Sequence, residues 1–237
     1  MCSSYSCSLD WCWAGNRSGP SRPRSNLVPF DRAPRRLYSL FLTLRTTGMR
    51  PGEALGLREQ DCDLVMGAIT VRQGFYRLDG SKRDGEPTRL LFGPPKSEKG
   101  RRTIDIPPDL VRELRELKAD RDRLRREFGA GYCDLGDHGP LVFCQDDGRP
   151  LDWKSIARRD FRRIVKRMKL PIIRPYEFGR HAHATWLYEQ GVHPTIISER
   201  LGHSSTAFTM DTYGSARGLQ APIVPKLQAW LLENAPR

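Results

Sequence analysis

The chain has 237 residues, of which 38% are hydrophobic, so it is large and apolar enough to form a buried core. Its 40 Lys and Arg residues against 28 Asp and Glu residues give a formal net charge of +12, which favours a nucleic-acid partner. It contains neither an apolar stretch of about 18 residues nor the apolar segment of a secretory signal, which argues against a membrane protein. We therefore predict a cytoplasmic location.

The six cysteines form no CxxC pair, and the sequence has no glycine-rich phosphate loop. The cysteines are Cys2, Cys7, Cys12, Cys62, Cys133 and Cys144. In a reducing compartment they remain thiols. We expect no metal site, no disulfide bond and no small-molecule cofactor.

Residues 1–33 are rich in Ser, Pro, Gly and Arg without an apolar period, which predicts a disordered tail. From Pro34 onward the pattern is that of a folded domain. Four apolar residues at helical spacing predict an amphipathic helix: Leu37, Leu40, Phe41 and Leu44. Gly48 is expected to end this helix and Pro51 to begin the next one. Arg50 would then lie in a tight connection between two helices.

Three short runs, residues 69–71, 89–92 and 102–106, have strand character and are interpreted as a small antiparallel sheet. The segment GPPKSEKGR between the last two runs is rich in turn residues, which predicts a hairpin that carries Lys96 and Lys99.

Most of the remaining chain shows helical periodicity. One long charged helix is predicted from Leu110 to Phe128, ending at Gly129, and another from Trp153 to Met168. The final third is predicted to be helical, including a helix from Pro194. The expected fold class is α+β and mostly α-helical.

Cleavage of a phosphodiester without a metal needs a nucleophile, cations against the nonbridging oxygens and an acid for the leaving oxygen. Arg50 and Arg180 carry permanent charges that can hold phosphate oxygens bidentately. His203 is a further donor, Lys96 can protonate a leaving oxygen and Tyr213 can attack phosphorus. Each of these residue types also has ordinary structural uses, so their order and context must decide.

Four segments resemble, in order, the conserved boxes of the tyrosine recombinase, or phage integrase, family. They are TTGMRPGEALGLREQDCDL, PPKSEKGRRTIDIP, GRHAHATWLYEQGV and SERLGHSSTAFTMDTYG. The resemblance extends from Pro34 to about Gly214 and is specific, because Tyr213 follows His203 of the LGH motif by ten residues. LGHSS, AFT and DTY are similar to integrases of actinobacterial phages and mobile elements.

The resemblance implies a tyrosine-recombinase-like catalytic fold that breaks and rejoins double-stranded DNA. Arg50 and Arg180 would bind the scissile phosphate with His203. Lys96 would be the general acid, and Tyr213 would form a 3′-phosphotyrosyl bond that a 5′-hydroxyl of a second strand reverses. Glu53 would be a structural partner of Arg50.

One position departs from the family pattern. The family usually has His, sometimes Lys or Tyr, three residues before its second arginine, and here Glu177 stands there. A carboxylate facing phosphate would partly cancel the arginine charges. Alternatively, one inserted residue within YEFGR displaces Arg180, and Tyr176 occupies the position. The sequence leaves both registers open.

Family members carry a helical DNA-binding domain before the catalytic one, whereas only residues 1–33 precede Pro34 here. We interpret residues 34–237 as the catalytic domain and expect the N-terminal domain to be missing from this chain. The resemblance also implies a tetramer of two DNA-bound dimers. A C-terminal helix with Val224, Leu227 and Leu231 is predicted to dock on a neighbouring protomer or on its own core.

Two other functions compete with the recombinase. A type IB topoisomerase resembles the same catalytic set, but the AFT and DTY motifs favour an integrase. A catalytically impaired integrase remnant would bind DNA in a salt-sensitive manner and form no covalent adduct.

Overall fold

A computed structural model describes residues 35–78, 89–95, 97–167 and 173–203. Its helices are α1 (Arg35–Thr47), α2 (Pro51–Leu55), α3 (Pro108–Phe128), α4 (Trp153–Ser155), α5 (Arg162–Arg167), α6 (Ala182–Glu189) and α7 (Pro194–Leu201). A π-helical turn, Ile156–Phe161, joins α4 to α5, and a second one, Glu177–His181, leads into α6. None of the described helices is both long enough and apolar enough to cross a membrane. The predicted α+β, mostly helical class is confirmed.

The strands within the described residues form two antiparallel sheets. β1 (Cys62–Asp63), β2 (Ala68–Val71) and β5 (Arg102–Asp105) make a three-stranded sheet in the order β1-β2-β5, and β3 (Gly74–Leu78) pairs with β4 (Arg89–Gly93). In the second sheet, Phe75 lies opposite Phe92 with ring centroids 4.7 Å apart, and such aromatic pairs stabilise sheets.

The predicted hairpin between residues 89–92 and 102–106 is wrong, because these two runs belong to different sheets. The partner of β4 is the run GFYRL, which we did not predict to be a strand. The partner of β5 is β2, with Ile69 opposite Ile104 in the core. Lys99 lies in a 3-10 turn before β5, and Lys96 lies outside the described residues.

Helix α1 lies at the centre of the core, as its apolar stripe predicts. Phe41 packs with its ring 5.4 Å from that of Phe161 and 6.1 Å from that of Phe178. These contacts join α1 to both π-helical turns. Full burial of each such side chain stabilises the fold by about 1.5–3 kcal/mol. The core thus fixes the backbone at the C-terminal end of α1, where the candidate site begins.

Candidate functional site

The connection between α1 and α2 is fixed by Gly48, which has a φ of 65° and ends α1 as predicted. A Cβ atom at Gly48 would lie 2.6 Å from the side chain of Leu201 and 2.8 Å from that of His183. A larger residue at this corner would have to displace these side chains and adopt a strained left-handed backbone. Arg50 follows in extended conformation at the start of α2. The carboxylate of Glu53 accepts one hydrogen bond from the backbone N–H of Arg50 at 2.9 Å and another from Nη1 of Arg50 at 2.8 Å.

A second glycine places His203 at the end of α7. Gly202 is left-handed, with φ 65° and ψ 47°, and its N–H donates to the carbonyl of Glu199 at 2.9 Å. The N–H of His203 donates to the carbonyl of Ser198 at 3.0 Å, which completes a Schellman motif. A Cβ atom at Gly202 would lie 2.7 Å from the carbonyl oxygen of Lys99. The LGH motif therefore fixes the position of the histidine backbone.

Three arginines converge on the carbonyl groups at this helix end. The pairs are Arg102 Nε to Arg200 O at 2.7 Å, Arg180 Nη2 to Leu201 O at 2.7 Å, and a long contact of 3.5 Å from Arg50 Nη2 to Gly202 O. The carbonyl end of a helix carries partial negative charge and attracts cations. We call Arg50, Arg102 and Arg180 the arginine cluster.

Glu53 joins two members of the arginine cluster. Its carboxylate, with a side chain only 1% exposed, also accepts from Arg102 Nη2 at 2.9 Å. Burial acts to raise the pKa of Glu53, but Arg102 and Arg50 outweigh it and hold this pKa below its ordinary value. Three guanidinium groups against one carboxylate leave two unbalanced positive charges among these four side chains. Such an arrangement favours a bound anion.

Arg180 is the most deeply buried member, at 1% exposure. Its Nη1 donates to the carbonyl of Gly48 at 3.0 Å, so the side chain joins the end of α1 to the end of α7. Burial, followed by the positive charge of Arg50, lowers the pKa of Arg180 to about 10, so the group stays charged at neutral pH. Its Nε has no hydrogen-bond partner within the described part of the chain. An anion would offset this costly charge.

His203 lies beside the cluster and is 6% exposed. Burial lowers the pKa of His203 to about 4, and the charges of Arg180, Arg50 and Arg102 act in the same direction. The imidazole is therefore neutral at pH 7 while no anion is bound. A neutral imidazole can donate one N–H to an anion held by the arginines.

The low pKa of His203 predicts a loss of stability in mild acid. As pH falls from about 6.5 to about 4, the unfolded chain takes up a proton that the folded chain does not, so the free energy of unfolding falls, by at most about 1.4 kcal/mol per pH unit for this histidine. His183, whose pKa burial lowers to about 3, adds to the same trend. Urea unfolding at pH 7, 6, 5 and 4.5 measures this slope. His203→Gln should flatten it, and an unchanged slope in that variant would contradict the assignment.

The structure brings together four predicted site residues, Arg50, Glu53, Arg180 and His203. Tyr213 and Lys96 lie outside the described residues. Arg102 was missed by the sequence analysis. The only signal for it was its place in the segment GRRTIDIP, two residues before the buried Ile104 of β5 and therefore on the same side of the strand. Tyr176 and Glu177 lie at the second π-helical turn, on the N-terminal side of Arg180.

The family model of the phage integrase family matches residues 26–217. The chain is 30% identical over 179 residues to a "Tyrosine recombinase XerC-like" protein of Caldanaerobacter subterraneus subsp. tengcongensis, covering 75% of this chain and 45% of that protein. It is also 30% identical over 190 residues to the ICEBs1 integrase of Bacillus subtilis, covering 80% of this chain and 47% of that protein. The chain thus spans about half the length of these relatives.

A solved structure of the Tn1549 transposon integrase in complex with transposon right end DNA superposes with a TM-score of 0.61. It is 22% identical and covers 85% of this chain and 59% of that one, which shows the fold alone. The family model, by contrast, matches most of the sequence, including all four boxes named above. This chain belongs to the phage integrase family.

Proposed function

We propose that this chain catalyses site-specific recombination of double-stranded DNA by transesterification through a 3′-phosphotyrosyl intermediate. The observation that carries the proposal is the arginine cluster, whose two unbalanced positive charges lie beside a neutral imidazole at one helix end. Preorganised donors of this kind stabilise the charge that develops on a phosphate under attack. Family membership supports the choice of a DNA phosphodiester.

The residues divide the chemistry as follows. Arg50 and Arg180 hold the nonbridging oxygens, and His203 donates an N–H to one of them. The phenolic oxygen of Tyr213 gives its proton to solvent and attacks phosphorus, the bond to the 5′-oxygen breaks, and Lys96 gives that oxygen a proton. The 5′-hydroxyl of a second strand then returns a proton to Lys96 and attacks phosphorus, the bond to Tyr213 breaks, and the phenolic oxygen takes up a proton from solvent. Because one phosphodiester replaces another, rejoining needs no external energy source.

The surface of the helix formed by α4, the first π-helical turn and α5 supports DNA as the partner. Six basic side chains line one groove there, namely Lys154, Arg158, Arg159, Arg162, Arg163 and Lys166. Arg159 is paired with Asp160 at 2.9 Å, and four of the others are exposed. Such a row of cations neutralises phosphates and releases their counterions. We therefore propose that this basic groove contacts the phosphate backbone of DNA.

Four further features complete the proposal. Residues 34–237 form the catalytic unit, and this unit assembles on DNA as a tetramer, to which the apolar C-terminal residues contribute. The residues Val224, Leu227 and Leu231 lie outside the described part of the chain, and chemical cross-linking on bound duplex tests the assembly. The LGHSS, AFT and DTY motifs support an origin in an actinobacterial mobile element, and the proposed DNA substrate supports a cytoplasmic location.

A covalent trap tests the proposal. Duplexes that the protein retains are first selected from a random library, and each selected duplex is then nicked next to candidate scissile phosphates, so that the cleaved fragment diffuses away. Incubation with the wild-type chain should give a shifted protein–DNA band on a denaturing gel, and Tyr213→Phe should abolish this band while leaving duplex retention unchanged. Salt-sensitive retention without any covalent band would instead identify a DNA-binding remnant.

A further inference from the structure

Tyr76 extends across the end of the second sheet, towards the segment that joins β4 to β5. It lies opposite Leu91, two residues from the pair of Gly74 and Gly93 that ends the sheet. A Cβ atom at Gly74 would lie 2.4 Å from the hydroxyl oxygen of Tyr76, and one at Gly93 would lie 4.0 Å from Cε2 of the ring. The ring therefore lies over two glycines, which leave room for it at the end of the sheet.

The hydroxyl group of Tyr76 is bonded to the segment that carries Lys96. It donates a long hydrogen bond of 3.3 Å to the carbonyl of Pro94, the residue that follows β4 and precedes Lys96 by two positions. The other edge of the ring contacts α2, where a Cβ atom at Gly52 would lie 3.4 Å from Cε1 of Tyr76. The phenol thus joins the start of the segment to the first turn of α2, which follows Arg50 directly.

The charges of the candidate site act on Tyr76. Burial raises the pKa of its phenol, the negative charge of Glu53 acts in the same direction, and Arg50 acts in the opposite one. The half-buried phenol therefore keeps its proton at neutral pH and can act as a hydrogen-bond donor. It also lies close enough to the ion pair of Arg50 and Glu53 for both charges to affect it. Tyr76 is thus a neighbour of the arginine cluster.

The far end of the same segment is held by other contacts. The buried Pro95 packs on Gly100, where a Cβ atom would lie 2.5 Å from Cβ of Pro95. The N–H of Gly100 donates to the carbonyl of Ser97 at 2.8 Å, and its own carbonyl accepts from Arg102 Nη1 at 3.0 Å. Lys96 is joined covalently to Pro95 and Ser97, and consecutive Cα atoms lie about 3.8 Å apart. Contacts that fix these two neighbours therefore restrict where Lys96 can lie.

We propose that Tyr76 is a positioning residue for proton transfer: its hydroxyl group holds the start of the segment between β4 and β5, so that Lys96 reaches the leaving 5′-oxygen. This proposal rests on the proposed function, in which Lys96 protonates that oxygen. A general acid must lie within hydrogen-bond reach of the atom that it protonates. Loss of the bond to Pro94 releases one end of the segment, whereas the hydrogen bonds of the arginine cluster stay in place. The proton transfer is therefore the step that should suffer.

The test compares two nicked duplexes that differ only in the 5′-bridging atom of the scissile phosphate, which is oxygen in one and sulfur in the other. A thiol has a pKa of about 8.5 in model compounds, far below that of an alcohol, so the sulfur leaves as a thiolate and needs no acid. On the oxygen duplex, Tyr76→Phe should slow single-turnover adduct formation on the order of 10-fold. On the sulfur duplex, the rate of this variant should stay within about twofold of the wild-type rate.

Three variants calibrate the comparison. Lys96→Met removes the acid itself, so it should lose on the order of 100-fold on the oxygen duplex and recover on the sulfur duplex. Arg180→Ala removes a contact to the nonbridging oxygens and should be slow on both duplexes. Tyr132→Phe is the matched control, because it removes a tyrosine hydroxyl that contacts Sγ of Cys144 instead, and it should leave both rates within about twofold of wild type.

A double variant tests whether Tyr76 acts through the lysine. Adding Tyr76→Phe to Lys96→Met should cause no further loss on the oxygen duplex, since the acid that Tyr76 positions is already absent. Equal losses for Tyr76→Phe on both duplexes would overturn the proposal, because the tyrosine would then support the phosphate contacts or the fold. A wild-type rate for Tyr76→Phe on the oxygen duplex would overturn it as well.

Failure of the underlying function gives a different result. In that case the wild-type chain forms no adduct on any selected duplex of either kind, and the assignment of Tyr76 falls with the function. If the wild-type adduct forms but Lys96→Met is not rescued by sulfur, Lys96 is not the acid and the role of Tyr76 is wrong. If only Tyr76→Phe behaves otherwise than expected, the recombinase function and Lys96 stand and the assignment of Tyr76 alone is wrong.

Discussion

Replacing Arg180 by Ala is expected to lower the rate of covalent adduct formation by at least about 100-fold and to destabilise the fold by about 2–4 kcal/mol. The first effect follows from the loss of a charged donor at the phosphate. The second follows because the carbonyl groups of Gly48 and Leu201 lose their hydrogen bonds in a buried setting. Urea unfolding and single-turnover trapping on the nicked duplex measure the two effects separately.

Arg180→Lys provides the control for this prediction. Lysine keeps the positive charge, but its compact ammonium group cannot replace a planar fork that reaches two carbonyl groups at once. We expect the variant to recover part of the stability and little of the rate. An Arg180→Ala protein with wild-type stability would show that this side chain does not join the ends of α1 and α7.

Glu53→Ala is expected to destabilise the fold by about 3 kcal/mol or more, because it leaves Arg50 and Arg102 without their shared buried carboxylate. The adduct rate should fall as well, since Glu53 fixes the backbone and the guanidinium group of Arg50. Urea unfolding gives the stability change, and the nicked duplex gives the rate.

Two comparisons sharpen the test of Glu53. The loss of stability caused by Glu53→Ala should be smaller in an Arg102→Met background, because the unpaired charge of Arg102 is then absent. Asp109→Asn, which breaks the exposed pair with Arg112, should change the free energy of unfolding by less than about 1 kcal/mol. Equal losses for Glu53→Ala and Asp109→Asn would contradict the buried network.

Much of the fold could be predicted because its signals are local. The apolar period predicts α1, and Gly48 and Gly129 predict the ends of α1 and α3. Each of these signals acts within a few residues, and the structure has all three features. Strand pairing is a long-range property, and it was predicted wrongly for β4. Two runs adjacent in sequence suggested a hairpin, whereas the true partner, β3, pairs through the contact between Phe75 and Phe92.

In the candidate site, too, the residues with local sequence signals could be predicted and those that depend on long-range contacts could not. Arg50 could be placed because Gly48 and Pro51 define the corner around it, and His203 because it follows Gly202. Arg102 could not be distinguished among 40 Lys and Arg residues, since its role depends on the carbonyl of Arg200, 98 residues away. The second π-helical turn was not predicted, although the spacing of YEFGR had suggested one inserted residue at this place.

The central claim is that the phosphate held by the arginine cluster becomes attached to Tyr213, and peptide mapping of the trapped adduct tests it most directly. Trypsin releases residues 201–217, in which Tyr213 is the single tyrosine, separately from residues 170–180, in which Tyr176 is the single tyrosine. Mass spectrometry after nuclease digestion should find the nucleotide remnant on the peptide 201–217. A remnant on the peptide 170–180, or on any other peptide, would contradict the account.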